Sequence, residues 1–257
     1  MTTAESTGRY LLVPVDALGV DRSTLAALVA IAERLDQQLL GLFLEDDSLQ
    51  QAAELPFIRE VLASGAGERD IAPDALRRQT RRVAHRVRTA LAELAADRRI
   101  TFRFEVVAAG GSRTMSAMTR AGHDIYLPPR LPAAGRAGHL AEETCYRRVR
   151  LLYQSGPDSA RAVEILHRIA RNGQTREVFV VTETELPLAV VSSLRAMGLR
   201  VHIEMLRDNL AQYLHGVLAR PACDLLLIPR SLFGAAPESA IDAALNRVTR
   251  PVLLVTA

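Results

Sequence analysis

The feature that most constrains the fold of this 257-residue chain is an internal repeat. The segment Asp124-Ile-Tyr-Leu-Pro-Pro-Arg130 recurs as Asp224-Leu-Leu-Leu-Ile-Pro-Arg230, with the Asp, one Leu, one Pro and the Arg identical. Residues 149–170 likewise echo residues 10–35, since each is an apolar run followed by a polar turn and an amphipathic stretch. Self-similarity of this kind is typical of repeated copies of one supersecondary unit. We therefore expect two similar domains, at residues 1–146 and 147–257.

Both halves alternate apolar runs with helical patterns. Residues 10–16 and 38–44 are typical of buried parallel strands, and the segment between them has one apolar helix face behind a cap at Asp21 or Ser23. Strand, helix, strand is the parallel crossover unit, so the predicted fold class is α/β. We predict further strands at residues 101–109, 124–130, 177–181, 199–206, 225–229 and 252–255. We predict helices after Pro73 and at residues 112–122, 209–220 and 238–248. A small helical excursion is expected within residues 47–73.

The two halves differ at their ends. A closing strand, Arg250-Pro-Val-Leu-Leu-Val255, follows the second copy of the repeat, whereas the first copy leads into the strand that opens the second half. We therefore expect the first domain to lack its fifth strand. A competing interpretation assigns residues 149–153 to the first half as that fifth strand. We prefer the assignment of residues 149–153 to the second half, because the turn and helix after residue 153 repeat the start of the chain.

The chain contains no lysine, because all 32 basic residues other than histidine are arginine. This excludes Walker-type phosphate loops, protein kinases, pyridoxal enzymes and Schiff-base aldolases, which all need a lysine side chain. The net charge of +3 predicts no strong general attraction to nucleic acid. No run reaches the length of a membrane span and the first eight residues do not resemble a leader, so we expect a cytoplasmic location without membrane insertion. Cys145 and Cys223 are expected to be buried free thiols.

Four segments carry a resemblance to a known family. They are Leu11-Leu-Val-Pro-Val-Asp16, Leu40-Gly-Leu-Phe-Leu-Glu-Asp46 with the following Leu55-Pro-Phe-Ile-Arg-Glu-Val61, and Arg250-Pro-Val-Leu-Leu-Val255. In these segments the chain resembles the universal stress protein family, specifically bacterial proteins with two tandem copies of the domain. The resemblance implies two Rossmann-like domains with parallel sheets of strand order 3-2-1-4-5. It also implies that a ligand binds at the switch point beyond the carboxyl ends of strands one and four.

Nucleotide-binding members of that family hold phosphates on a glycine motif after strand four, and the second half departs from this motif. Pro229 and Leu232 stand at the first two glycines, and Glu238 places a carboxylate where phosphate would lie. Gln154 replaces the aspartate of the first strand. We therefore expect no ATP site in the second half.

The first half keeps more of the nucleotide positions. The resemblance places Pro14 and Asp16 toward base and ribose, and Gly135 and Gly138 form a Gly-x2-Gly in the loop after strand four. Pro128-Pro129 stands at the first glycine, and without a fifth strand the phosphate cradle is incomplete. Glycines in such a loop can also be present only because a turn needs their backbone conformation, with no role in phosphate binding.

The helix after Pro73 has an arginine-rich polar face that includes Arg78, Arg82 and Arg86. This face could bind an acidic protein, a nucleic-acid backbone or anionic lipid, or it could be a solvated face. In the second case its charge would be balanced by Asp70, Asp74, Glu93 and Asp97. Interleaved aromatic residues are absent from the sequence there, so a nucleic-acid partner is not expected. His202-x-Glu204 alone does not make a metal site, and none is predicted.

Three hypotheses follow from the sequence. The first is a non-enzymatic stress-type protein without a bound cofactor, which acts in stress response through self-association or contacts with another protein. The second is a sensor or slow ATPase that binds ATP or AMP in the first half. The third is an adaptor that uses the arginine-rich face.

Overall fold

The computed structural model describes residues 9–15, 22–46, 51–55, 59–61, 68–70, 72–109, 122–128, 146–171, 173–206, 213, 223–233 and 250–257. In the first half of the chain the elements are β1 (Tyr10–Val15), α1 (Arg22–Leu35), β2 (Gln38–Asp46), β3 (Arg59–Val61), β4 (Glu68–Asp70), α2 (Pro73–Asp97), β5 (Phe102–Ala109) and β6 (Asp124–Leu127). In the second half they are β7 (Arg148–Tyr153), α3 (Pro157–Ala170), β8 (Glu177–Thr182), α4 (Leu188–Ala196), β9 (Arg200–Met205), β10 (Leu225–Pro229), a 3-10 helix (Arg230–Phe233) and β11 (Val252–Val255).

Nine of the described strands form one sheet, in the order β5-β2-β1-β6-β11-β10-β7-β8-β9. Neighbouring strands are parallel except β6 and β11, which pair antiparallel with Leu253 opposite Tyr126. The predicted α/β fold class is confirmed, but the described strands form one mostly parallel sheet where parallel sheets in two domains were expected. β6 and β11 run in opposite directions. The carboxyl ends of β1 and β6 therefore lie at one end of the strands, and those of β7 and β10 lie at the other end.

β7 pairs with β8 and β10. The competing interpretation, which gave residues 149–153 to the first half as its fifth strand, is therefore wrong. β11 holds the place beside β6, and it comes from the end of the second half.

The predicted helical excursion within residues 47–73 is confirmed at residues 51–53 and is wrong where β3 and β4 form an antiparallel pair. The glycine-containing stretch 64–67 between them is the kind of sequence that connects a hairpin. The predicted strand 124–130 ends earlier, at Leu127. Pro128 has no N–H to continue the hydrogen-bond ladder. The predicted helices at 112–122, 209–220 and 238–248 lie almost entirely outside the described residues.

The described helices α1, α2, α3 and α4 cover one face of the sheet. Their buried apolar residues join strand residues such as Leu11, Val13, Leu151 and Leu227 in one core cluster. The opposite face forms a second cluster, in which alternate strand residues pack with Tyr213, Leu232 and Phe233. This alternation is the period of two expected for strands buried on both faces.

Candidate functional site

The switch point of the second half lies beyond the carboxyl ends of the adjacent strands β7 and β10. Helix α3 begins beyond the carboxyl ends of these strands, with Pro157 as its first residue and Asp158 in its first turn. Gly156 precedes it with φ 151°, a backbone conformation that favours glycine. The Gln154 side chain is exposed, and the Gln154 N–H donates to Ser159 Oγ at 3.1 Å. These contacts fix the turn that carries Asp158.

The Asp158 carboxylate binds two backbone amides at the switch point. Oδ2 accepts the N–H of Ser231 at 2.8 Å, in the 3-10 helix that follows β10, and Oδ1 accepts the N–H of Ala257 at 2.7 Å, after β11. In open parallel sheets ligands bind beyond the carboxyl ends of the strands at such a switch point, and free backbone amides there can hold an anion. In this chain an internal carboxylate already uses them, at a helix N-terminus that stabilises negative charge.

A phosphate could reach these amides only by displacing Asp158 and lying beside its charge. Pro229, which ends β10 and is buried, has no N–H to offer. Glu238 lies outside the described residues. The role of Asp158 at the switch point is not predicted from the sequence. The pattern that could have indicated it is a proline followed by an acidic residue at the start of a helix.

Of the four nucleotide candidates of the first half, Pro14 alone lies in the described part of the chain. Pro14 lies half-buried in β1, opposite Leu42 of β2. Asp16, Gly135 and Gly138 lie outside the described residues, so their predicted roles remain predictions.

The arginine-rich face is a second candidate surface. α2 buries Ala84, Val87, Leu91 and Ala95 against the sheet and exposes the opposite side. A depression of about 900 Å³ is lined there by Ala75 and Gln79 and by what we call the arginine surface: Arg78, Arg81, Arg82, His85 and Arg86. The three predicted partner-binding arginines, Arg78, Arg82 and Arg86, thus lie along one depression. Their four-residue spacing places successive Cα atoms about 6 Å apart along the helix axis.

No described acidic residue forms an ion pair with the arginine surface. The ion pairs that α2 makes with described residues join Arg77 to Glu54 at 2.7 Å and Glu93 to Arg22 at 3.6 Å. Glu93, expected to balance this face, thus pairs with α1, and no described ion pair joins Asp74 or Asp97 to the surface. Like charges at this density attract anions and are screened by salt.

His202 and Glu204 are engaged in contacts other than metal binding. The His202 ring stacks on Phe179 with 4.7 Å between ring centroids, and Glu204 accepts a hydrogen bond from Tyr213 at 3.3 Å. Arg150 donates to the same Tyr213 oxygen at 2.9 Å. Burial raises the pKa of Tyr213 to about 12, so its hydroxyl stays protonated and donates. Among the described residues no group of three or more His, Cys, Asp or Glu side chains could hold a metal ion.

The two aspartates of the repeat have structural roles. Asp124 is fully buried and accepts the Thr256 N–H at 3.0 Å and the side-chain amide of Gln37, with Arg161 at 3.5 Å. Asp224 accepts the N–H of Arg148 at 2.8 Å. Each carboxylate therefore fixes the start of a strand against a neighbouring strand.

Cys223 is a buried free thiol, as predicted, and burial raises its pKa to about 11. A thiol with so high a pKa is a poor nucleophile at neutral pH. Cys145 lies outside the described residues. None of the described helices combines the length and apolar character required to cross a membrane.

Comparisons with known proteins identify no family. No family model and no curated protein matches the chain. Among solved structures, CobK precorrin-6A reductase aligns over 97% of this chain and 88% of its own, with 14% identity and a TM-score of 0.25. A nitrogenase Cp1 structure aligns over 90% of this chain and 51% of its own, with 12% identity and a TM-score of 0.20.

Proposed function

We propose that this chain is a non-enzymatic protein of the universal-stress type, which acts in stress response by binding other proteins or itself. In this proposal residues 1–146 and 147–257 are two copies of one domain. If the separate β3–β4 hairpin is left out of the count, the strand order within each half can be written 3-2-1-4 followed by 5-4-1-2-3. The first copy would lack its fifth strand, and β11 of the second copy would cover its open edge.

The observation that carries the proposal is the occupation of the second switch point by Asp158. Its two amide hydrogen bonds, at 2.8 and 2.7 Å, use donors that a phosphate would need. A ligand that must break both bonds and accept a neighbouring carboxylate loses several favourable interactions at once. Neither a lysine nor a described metal cluster is present to compensate.

Calorimetric titration of the purified chain with ATP, ADP and AMP tests this proposal. We expect no binding tighter than about 100 μM for any of the three. Tighter binding that Asp16→Ala abolishes would overturn the proposal and support the nucleotide sensor of the first half. Tighter binding that survives Asp16→Ala would also overturn it and would direct attention to the second half.

The arginine surface favours a second candidate function, an adaptor for an acidic partner. Its support is the depression of about 900 Å³ together with the lack of described ion pairs to its arginines. On a heparin column, we expect retention that falls steeply with salt and is lost when Arg78, Arg82 and Arg86 are all changed to Gln.

The matched control changes Arg147, Arg176 and Arg195, three exposed arginines elsewhere, to Gln. It removes the same charge and should leave most of the retention. Equal losses in both triple variants would show that net charge, and not this surface, causes the retention.

A further inference from the structure

β9 is the last strand of the described sheet, and no described strand pairs with its outer side. Its side chains are unusually open: Ile203 is 45% and Met205 53% exposed, and Arg200, His202 and Glu204 are exposed as well. Edge strands of monomeric proteins are normally protected against pairing with another chain. An edge with exposed apolar residues is therefore a candidate interface.

The sequence of β9 is self-complementary in the antiparallel direction. If two copies pair with His202 opposite His202, Arg200 faces Glu204 and Val201 faces Ile203 of the other copy. Directly opposite residues of an antiparallel pair project to the same sheet face. The charged residues therefore meet on one face and the apolar residues on the other, which is the face covered by α4.

The present contacts of the two charged residues leave them able to reach a partner. Arg200 forms an ion pair with Glu177 at 3.1 Å, but its side chain is 75% exposed. Glu204 accepts only a long hydrogen bond, at 3.3 Å, from Tyr213 among its described contacts. Twofold symmetry would give each dimer two Arg200–Glu204 pairs and two Val201–Ile203 pairs.

We propose that a second copy of this chain binds along β9, antiparallel and with the twofold axis at His202, to form one continuous sheet. This interface does not depend on the nucleotide status of either switch point.

The opposite sheet edge, β5, is a poorer interface. Val106 is 49% exposed there, but α2 packs against β5 on the same face. Antiparallel pairing of two β5 strands would bring two copies of the arginine surface toward each other. Like charges facing each other oppose association.

Sedimentation equilibrium of the full chain tests the proposal. A six-residue strand edge is a small interface, so we expect a reversible dimer with a dissociation constant of about 1–100 μM. Ile203→Lys should raise that constant at least about tenfold, because it buries an ammonium group beside Val201 of the partner. The matched variant Val106→Lys on the other edge should leave it unchanged.

Charge reversal gives a second test that does not rely on an apolar residue. Arg200→Glu and Glu204→Arg should each weaken the dimer, because each places like charges opposite one another in both pairs. An equimolar mixture of the two variants should dimerise again, since both pairs then have opposite charges.

A wild-type chain that is monomeric throughout the concentration range would overturn the proposal. A dimer that Val106→Lys disrupts and Ile203→Lys leaves intact would also overturn it. The same holds if the two charge variants retain the wild-type circular dichroism spectrum but fail to associate when they are mixed.

Discussion

Asp124 and Asp224 occupy equivalent positions in the repeat but differ in burial and partners. Asp124 is fully buried and engages Gln37, Arg161 and the Thr256 N–H, whereas Asp224 is half-buried and accepts the Arg148 N–H. The repeat could be recognised in the sequence. The hydrogen-bond partners of Asp124 could not be predicted from the sequence, because Gln37 and Arg161 are distant in the chain and reach Asp124 only in the folded sheet.

This difference predicts unequal stability losses. Asp124→Ala should lower the free energy of unfolding by about 2–4 kcal/mol, because it leaves the buried Gln37 amide and the Thr256 N–H without their acceptor, while Arg161 keeps its hydrogen bond to Glu164. Asp224→Ala should cost about 1 kcal/mol, the value of a typical hydrogen bond. Urea unfolding of both variants measures the two costs. Equal costs would contradict the structural roles assigned here.

The stability of the protein should also depend on pH through two histidines. Burial is the main cause that lowers the pKa of His123 and His167 below the ordinary value of 6.5. The unfolded chain then binds more protons than the folded chain just below pH 6.5. The free energy of unfolding therefore falls as the pH drops from 6.5 and levels off below the pKa of the folded state.

Guanidinium unfolding at pH 7.5, 6.0 and 5.0 measures this slope, and the double variant His123→Gln, His167→Gln should reduce it. Glu164, whose pKa is lowered chiefly by its hydrogen bond from Arg161, adds a further loss only below its ordinary value of 4.5. An unchanged slope above pH 5 in the double variant would contradict the assignment to these histidines.

Elements with strong periodicity were predictable, and those without it were not. α2 followed from its apolar residues at helical spacing, and the structure buries Ala84, Val87 and Leu91 as expected. β3 and β4 were missed because strands of three residues are too short for an alternating pattern to appear. The described residues that line the depression beside the arginine surface all lie on α2 itself.

The two sides of α2 should respond differently to substitution. Changing Arg78, Arg82 and Arg86 together to Gln should alter the free energy of unfolding by no more than about 0.5 kcal/mol per residue, because these side chains are exposed and have no described partner. Val87→Ala on the buried side should cost at least about 1 kcal/mol. Thermal unfolding of both variants makes the comparison. A large loss in the triple arginine variant would show that the surface has a structural role.

At the scale of the whole molecule, the antiparallel pairing of β6 with β11 joins the two parallel sets of strands. The sequence did not indicate which strand would lie beside β6. Pairing between strands so far apart in the chain is decided by closure of the whole sheet and not by local pattern. α3 strengthens the same junction, since Arg168 donates to the Leu35 carbonyl at 2.5 Å.

The junction should couple the stability of the two halves. Leu254, which is buried opposite Ile125, packs at this seam, and Leu254→Ala should cost about 2–5 kcal/mol. Hydrogen exchange should then show lower protection both in β1 and β2 and in β7 and β8. Loss of protection in the second half alone would show that the halves unfold independently.

The most direct test of the central claim, that this chain is a binding protein with closed nucleotide sites, is thermal unfolding of the wild-type chain with and without millimolar Mg-ATP, ADP or AMP. A ligand that binds only the folded state raises the unfolding temperature wherever on the chain it binds. We predict no rise beyond that given by an equal ionic strength of sodium sulfate. A rise specific to one nucleotide would contradict the claim.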